Sequence, residues 1–306
     1  MSIERNLVLK VSMLAIVGPT ASGKSGIAVE IAKKNNGAIV NGDPFQAYLE
    51  IPIGTGQPGI GERQGISHHG YGEFRLSHEL NPANFGQMVR GWLNAAANSG
   101  KLPILVTGSG LYLRGIWDQL DEMPHVPTKT VKKMRRLCSQ LGPPALHRYL
   151  NSIDPKRASQ LHPNDGSRIQ RALALHLATG KYPSELLTGT AREAPWGWQV
   201  ILVMPSRDSL KDRIAKRVKN MLEQGWRNEV QQLINNNLMQ DIRRLRPLGY
   251  DLMMEYPDPD LAEQKIVQAT QAYAKRQVTW FKNQLPTAIL FDPDSDILDA
   301  ALMQHF

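Results

Sequence analysis

Residues 18–25 read GPTASGKS, which fits G-x-x-x-x-G-K-[ST], the spacing of a phosphate-binding loop. The motif carries that meaning only between a strand and a helix. Residues 14–17 form a short apolar run, and GIAVEIAKK (26–34) repeats its apolar residues at helical spacing, so both flanks are in place. In such a loop the backbone N–H groups wrap a diphosphate, and the helix N-terminus adds a favourable dipole. Gly18, Pro19, Thr20, Ala21, Ser22, Gly23, Lys24 and Ser25 are therefore the expected diphosphate site. Within it Lys24 neutralises phosphate oxygens, and Ser25 offers its hydroxyl to Mg²⁺ as the expected metal ligand.

Outward from the loop, short apolar runs recur at 38–40, 103–106 and 199–204, separated by helical patterns. Strands alternating with helices predict an α/β fold, a P-loop-type parallel sheet flanked by helices. Residues 121–194 break the alternation. They are rich in helix formers and punctuated at Pro124, Gly142-Pro143-Pro144, Pro155, Pro163 and Gly180, which predicts a mainly helical insertion domain. Residues 261–284 read as one long amphipathic helix. The expected division is a discontinuous core, 11–120 and 195–290, an insertion, 121–194, and a C-terminal tail, 291–306. The N-terminal run MSIERNLVLKVSMLAIVG is interrupted by Lys10 and leads straight into the loop, so it reads as a buried first strand rather than a signal peptide. No apolar stretch reaches the ~18 residues that span a bilayer, so no membrane partner is expected.

The 306 residues carry a net charge of +8, and eleven Lys and Arg against four Asp and Glu fall between positions 121 and 181. Such a patch is either a solvated helical surface or a surface that faces phosphates. A single cysteine, Cys138, excludes an internal disulfide and argues against a structural zinc site.

NTPases that hydrolyse nucleotide carry an acid at the end of a buried strand to hold Mg²⁺ and orient water. The run at 103–106 ends instead in Thr107-Gly108-Ser109-Gly110. An acid does follow the run at 38–40, as Asp43. Ligands of open parallel sheets bind at the carboxyl ends of the strands, so Asp43 is placed either to accept a proton near the loop or to cap a turn ahead of Pro44. Loop plus base describes group transfer without saying which group moves.

Seven further segments resemble, in order, those of the tRNA dimethylallyltransferases (tRNA isopentenyltransferases). They are AIVNGDPFQAYLEIPIGTGQP (38–58), ISHHG (66–70), ILVTGSGLYLRGI (104–116), IDPKRASQLHPNDGSRIQRAL (153–173), RIAKRVKNMLEQGWRNEV (213–230), RPLGYD (246–251) and AYAKRQVTWF (272–281). The resemblance implies transfer of a dimethylallyl group from dimethylallyl diphosphate to the exocyclic amine of the adenosine 3′-adjacent to the anticodon of tRNA, with release of pyrophosphate. It implies Asp43, Thr20 and Arg217 as catalytic residues, with Mg²⁺ as cofactor. Asp43 would accept the amine proton, Thr20 would hydrogen-bond at the reacting centre, and Arg217 would clamp the diphosphate; Arg213, four residues earlier on the same face, is the alternative arginine. For the anticodon stem-loop it implies Asp43, Pro44, Phe45 and Gln46, then Ser167, Arg168 and Arg171 on the insertion, and Gly249, Tyr250, Lys275, Arg276 and Gln277. Tyr273, Trp280 and Phe281 read as a buried apolar face, and His68 and His69 as structural or RNA-proximal rather than metal ligands.

The chain departs from the family pattern D-S-x-Q-V-Y at Asp43-Pro44-Phe45-Gln46-Ala47-Tyr48, where Pro44 removes a hydroxyl and a backbone donor. It departs from H-H-L-I-D at His68-His69-Gly70-Tyr71-Gly72. A prenyltransferase of free adenine nucleotide, a small-molecule kinase and a tRNA-binding relative without catalysis remain the competing readings. A cytoplasmic monomer is the expected state.

Overall fold

The computed structural model describes residues 13–117, 124–187 and 197–295. Six strands, β1 (Met13–Val17), β2 (Gly37–Asn41), β3 (His68–His69), β4 (Leu102–Thr107), β5 (Trp198–Val203) and β6 (Ile289–Phe291), form one sheet in the order β3-β2-β4-β1-β5-β6. Every neighbouring pair is parallel. Strands of such a sheet are covered on both faces, which is why β1, β2 and β4 read as continuous apolar runs.

Alternate residues divide between the two faces, as a strand period of two requires. Leu14, Ile16, Ile39, Ile104, Val106, Ile201 and Val203 pack with Ala28, Val29, Ile31 and Ala32 of α1 (Lys24–Lys34). Ala15, Val17, Val40, Leu105 and Leu202 belong to the larger cluster on the other face. A 3₁₀ turn (Pro44–Ala47), α2 (Pro52–Thr55) and α3 (Ile60–Arg63) follow β2. That larger cluster takes in Phe85 and Val89 of α4 (Pro82–Asn98) and Leu113 and Ile116 of α5 (Gly110–Trp117).

Among the described residues, five helices within 124–187 form a second compact unit: α6 (Thr128–Leu141), α7 (Pro143–Ile153), α8 (Pro155–Ala158), α9 (Gly166–Thr179) and α10 (Pro183–Leu186). Its core is Met134, Cys138, Leu146, Leu150, Ile169 and Leu173 with their neighbours. Asp165 caps α9 through the Arg168 N–H at 3.1 Å, and Asp154 caps α8 through the Arg157 N–H at 3.0 Å. Cys138 is buried in this core.

The chain then returns to the sheet unit with α11 (Arg207–Glu223), α12 (Trp226–Asn235), α13 (Met239–Leu245), α14 (Tyr250–Glu255) and α15 (Pro259–Gln284). Asp258 accepts from Leu261 N at 2.8 Å and Pro259 fills the first position of α15, a start signal written in the sequence. Ala262, Ile266, Thr270, Ala274, Gln277 and Phe281 make its buried stripe. Phe281 is fully buried and Trp280 packs edge-on against it at 5.2 Å, while Tyr273 is half-buried.

The sequence reading needs two corrections here. The edge strands β3 and β6 were not anticipated, because a two-residue His pair and a three-residue run with Leu290 exposed lack the apolar length that marks β1, β2 and β4. Phe291 also does not open a tail: it pairs with Val203 and is buried. The expected strand residues before Met13, the boundaries at 121 and 194–195, and positions 296–306 lie outside the described residues. Among the described residues no helix is long and apolar enough to cross a membrane.

Candidate active site

The loop at 18–25 leaves β1 at its carboxyl end and enters α1 at Lys24. Gly18 is required by close approach, since a β-carbon there would lie 2.3 Å from the carbonyl oxygen of Val203 on β5. Ser22 N–H donates to Pro19 O at 3.3 Å, closing the loop, and Ser22 Oγ is buried without a hydrogen-bond partner among the described residues. Lys24 folds back over it, its Nζ donating to Pro19 O at 2.7 Å. Ser25 is exposed on the first turn of α1.

Asp43 stands past the end of β2. Buried Asn41 fixes it: Asn41 Oδ1 accepts from Asp43 N at 2.8 Å, and its Nδ2 donates to Asp43 O at 2.8 Å and Gly70 O at 2.7 Å. The capping reading of Asp43 is realised, and the group also lies in reach of two cations. Its Oδ1 caps the 3₁₀ turn by accepting from Phe45 N at 3.0 Å, and its charge acts on Lys24 and Arg217. Pro44 occupies the first position of that turn, where an N–H has no partner to find, so the departure at this position removes no hydrogen bond from the turn. At the end of β4, where a hydrolytic NTPase keeps an acid, Thr107 Oγ1 donates to Gly42 O at 2.8 Å and accepts from Ser109 N at 3.0 Å. The hydroxyl ties β4 to the residue before Asp43.

Electrostatically the three charged groups form one system. Burial, then the charge of Arg217, lowers the Lys24 ammonium to about 7, against the opposing pull of Asp43. Burial raises the Asp43 carboxyl above the usual range, partly offset by the Phe45 N–H, Lys24 and Arg217. Burial and then the Asp43 charge also hold the Tyr71 and Tyr273 phenols up. Arg217 Nη2 donates to Thr55 O at 3.2 Å. Arg213, the alternative, pairs with Asp294 at 2.6 Å and donates to Ser209 Oγ at 3.1 Å.

Thr20 is reached from α15. Gln277 Oε1 accepts from Thr20 N at 2.9 Å, and its Nε2 donates to Gly108 O at 2.7 Å. The expectation that Gln277 lines an RNA surface is therefore corrected: its amide is buried and braces the phosphate loop against the end of β4. Gly249 and Tyr250 are corrected likewise. Tyr250 is 0% exposed, and Gly249 lies buried under the Trp226 ring. Pro44 is buried as well. Phe45 and Gln46 are half-buried, and Gln46 Nε2 donates to Thr55 O at 3.0 Å and Gly56 O at 2.8 Å.

Lys275 and Arg276 are exposed and line a groove of about 360 Å³ with Thr279, Trp280, Asn283 and Gln284. In the helical unit Ser167, Arg168 and Arg171 are exposed on α9, and Arg168 pairs with Asp165 at 3.5 Å. Asn41, Thr107 and Glu229, whose buried carboxylate holds the backbone of α2, escaped the sequence reading. A polar residue closing an apolar strand run was the available signal for the first two; for Glu229 the sequence offers none.

Comparison with known proteins identifies the family. The family model described as IPP transferase matches residues 46–284, and the one described as isopentenyl transferase matches 11–69. A tRNA dimethylallyltransferase of Rhizobium johnstonii is 35% identical over 290 residues, covering 92% of this chain and 96% of that protein. One of Rhodospirillum centenum is 34% identical over 298 residues, covering 95% of each. The crystal structure of the full-length tRNA isopentenylpyrophosphate transferase of Bacillus halodurans superposes with a TM-score of 0.68 at 31% identity, over 97% of this chain and 95% of that one. A eukaryotic dimethylallyltransferase acting on tRNA gives 0.74 at 27% identity, over 92% and 73%. With both family models and full-length relatives aligned across the sheet and the insertion, the chain belongs to the IPP transferase family, whose members matched here bear the name tRNA dimethylallyltransferase.

Proposed function

We propose that the protein transfers a dimethylallyl group from dimethylallyl diphosphate to the exocyclic amine of the adenosine 3′-adjacent to the anticodon of tRNA, and releases pyrophosphate. The observation that carries the reading is the grouping of Lys24, Asp43 and Arg217 beside the phosphate loop, with Thr107 in place of a water-orienting acid. Such a site can hold a leaving diphosphate and accept a proton, and it lacks the part that directs water at a γ-phosphoryl group.

In this reading the amine lone pair attacks the allylic carbon and the carbon–oxygen bond to the diphosphate breaks. The electron pair leaves on the diphosphate oxygen, and the amine proton passes to Asp43. Lys24 and the loop N–H groups meet the charge that grows on the diphosphate, and Arg217 meets it from α11. Burial that raises the Asp43 carboxyl makes it a stronger base than an exposed aspartate. Among the described residues no cluster of three His, Cys, Asp or Glu stands ready for a metal. The exposed Ser25 hydroxyl would hold Mg²⁺, a cation that keeps several waters and takes few protein ligands. Mg²⁺ would supply charge neutralisation to the leaving group.

Arg168, Arg171 and Ser167 on α9, and Lys275 and Arg276 on α15, are the exposed groups proposed to meet the anticodon stem-loop. The protein is proposed to act as a monomer in the cytoplasm. The test is incubation with Mg²⁺, radiolabelled dimethylallyl diphosphate and unmodified tRNA, with AMP as parallel acceptor and ATP omitted. Label in tRNA alone is the expected result. Label in AMP alone moves the acceptor to free nucleotide, and none in either removes the transferase reading.

A further inference from the structure

The short helix α2 has no cap of its own. Ile51 at its N-cap offers no side-chain oxygen, and Pro52 brings no N–H. Two orphan donors remain, and both are met from far away in the chain. Glu229 on α12 accepts from Ile53 N through Oε2 at 2.7 Å and from Gly54 N through Oε1 at 3.1 Å. Tyr250, at the start of α14, donates its hydroxyl to the same Oε1 at 2.5 Å. Trp226 packs edge-on against Tyr250 at 5.5 Å. The backbone is pressed directly onto this group: a β-carbon on Gly54 would lie 2.1 Å from Trp226 Nε1 and 2.4 Å from the Tyr250 hydroxyl.

The far end of the same helix holds the site. The Thr55 carbonyl accepts from both Arg217 Nη2 and Gln46 Nε2. One carbonyl thus joins the arginine proposed to clamp the diphosphate to Gln46, three residues after Asp43, and it lies one and two residues beyond the backbone that Glu229 grips.

We infer that Glu229 and Tyr250 form a clasp that fixes α2 and, through the Thr55 carbonyl, the position of Arg217 at the phosphate loop. They are positioning residues: Glu229 is 5% exposed, and its carboxylate already holds three donors, so it acts through the backbone. The inference gives the RPLGYD segment a role other than RNA contact, and it rests on the reading of Arg217 as a diphosphate clamp.

The experiment is a double-mutant cycle on binding of inorganic pyrophosphate with Mg²⁺, measured by calorimetry on the full chain with neither tRNA nor prenyl donor. Glu229→Gln keeps the volume but turns an N–H donor toward a backbone N–H, and should weaken pyrophosphate about tenfold. Arg217→Ala should weaken it at least as much. The double variant should bind within about twofold of Arg217→Ala alone, because the clasp acts through that arginine. Wild-type affinity in Glu229→Gln, or losses that multiply in the double variant, overturns the clasp. If Glu229→Gln does not fold, Tyr250→Phe removes only the hydroxyl, and should cost about threefold in the wild type and nothing in Arg217→Ala; an equal loss in both backgrounds overturns the clasp. A wild type that binds no pyrophosphate overturns the clasp and the proposed function together. The expected cycle in a protein that transfers no prenyl group leaves the clasp standing and removes only the proposed function.

Discussion

Asp43 caps a turn and, in the proposed reaction, is also the base. Its Oδ1 closes the 3₁₀ turn while the group sits in the field of two cations, and burial keeps its proton affinity high. A base of raised pKa works above that pKa and fails as the pH falls through it. The rate of transfer should therefore decline on the acid side at a pH above the ordinary aspartate range, read from a pH profile of kcat/KM. Asp43→Asn keeps an acceptor for the Phe45 N–H and removes the base. It should lower kcat/KM by about 10³-fold or more. Because the folded protein favours the protonated form of Asp43, the neutral asparagine should not lower Tm at pH 7, and a calorimetric scan beside the assay checks both halves. A loss of activity together with a fall in Tm would assign Asp43 to structure.

At the scale of elements, α15 shows how a helix can read from outside as a binding surface and act from inside as a brace. Lys275 and Arg276 face outward, and Gln277, the next residue, turns in to hold Thr20 and Gly108. A side-chain amide carries, on two separate atoms, the acceptor that Thr20 N–H needs and the donor that Gly108 O needs. Gln277→Met, of similar size, should leave both backbone groups unsatisfied at about 1–3 kcal/mol each and lower Tm accordingly. It should also raise KM for dimethylallyl diphosphate about tenfold while tRNA affinity stays within a few-fold. Weakened tRNA binding with unchanged diphosphate KM would restore Gln277 to the RNA surface. The sequence could not separate these outcomes, since an A-K-R-Q run on an amphipathic helix is polar either way. The phase of the buried stripe, set by what packs against the helix, decides which member turns inward.

At the scale of the whole molecule, the sheet unit carries the phosphate loop and Asp43, and the helical unit carries much of the basic charge. Arg168 and Arg171 stand exposed on α9, and Lys129, Lys132, Lys133 and Arg136 stand exposed on α6 on the side away from Met134 and Cys138. Replacing both Arg168 and Arg171 with Ala should weaken tRNA binding and flatten its dependence on log salt by about 1 per lost phosphate contact, with pyrophosphate binding unchanged. An unaltered salt slope would move the RNA footprint off α9. The sequence by itself determined the parallel α/β sheet, the phosphate loop, the basic helical insertion and the candidate base. Each is written in local terms: apolar runs, glycine spacing, charge density and an acid closing a strand. Only the tertiary structure decided the parts played by Gln277, Tyr250 and Glu229. Their partners lie between 21 and 257 residues away, at Thr20, Gly108, Ile53, Gly54 and one another. A buried hydrogen bond of that reach leaves no periodicity in the chain. It exists only because packing excludes water from both ends and obliges each polar group to find the other.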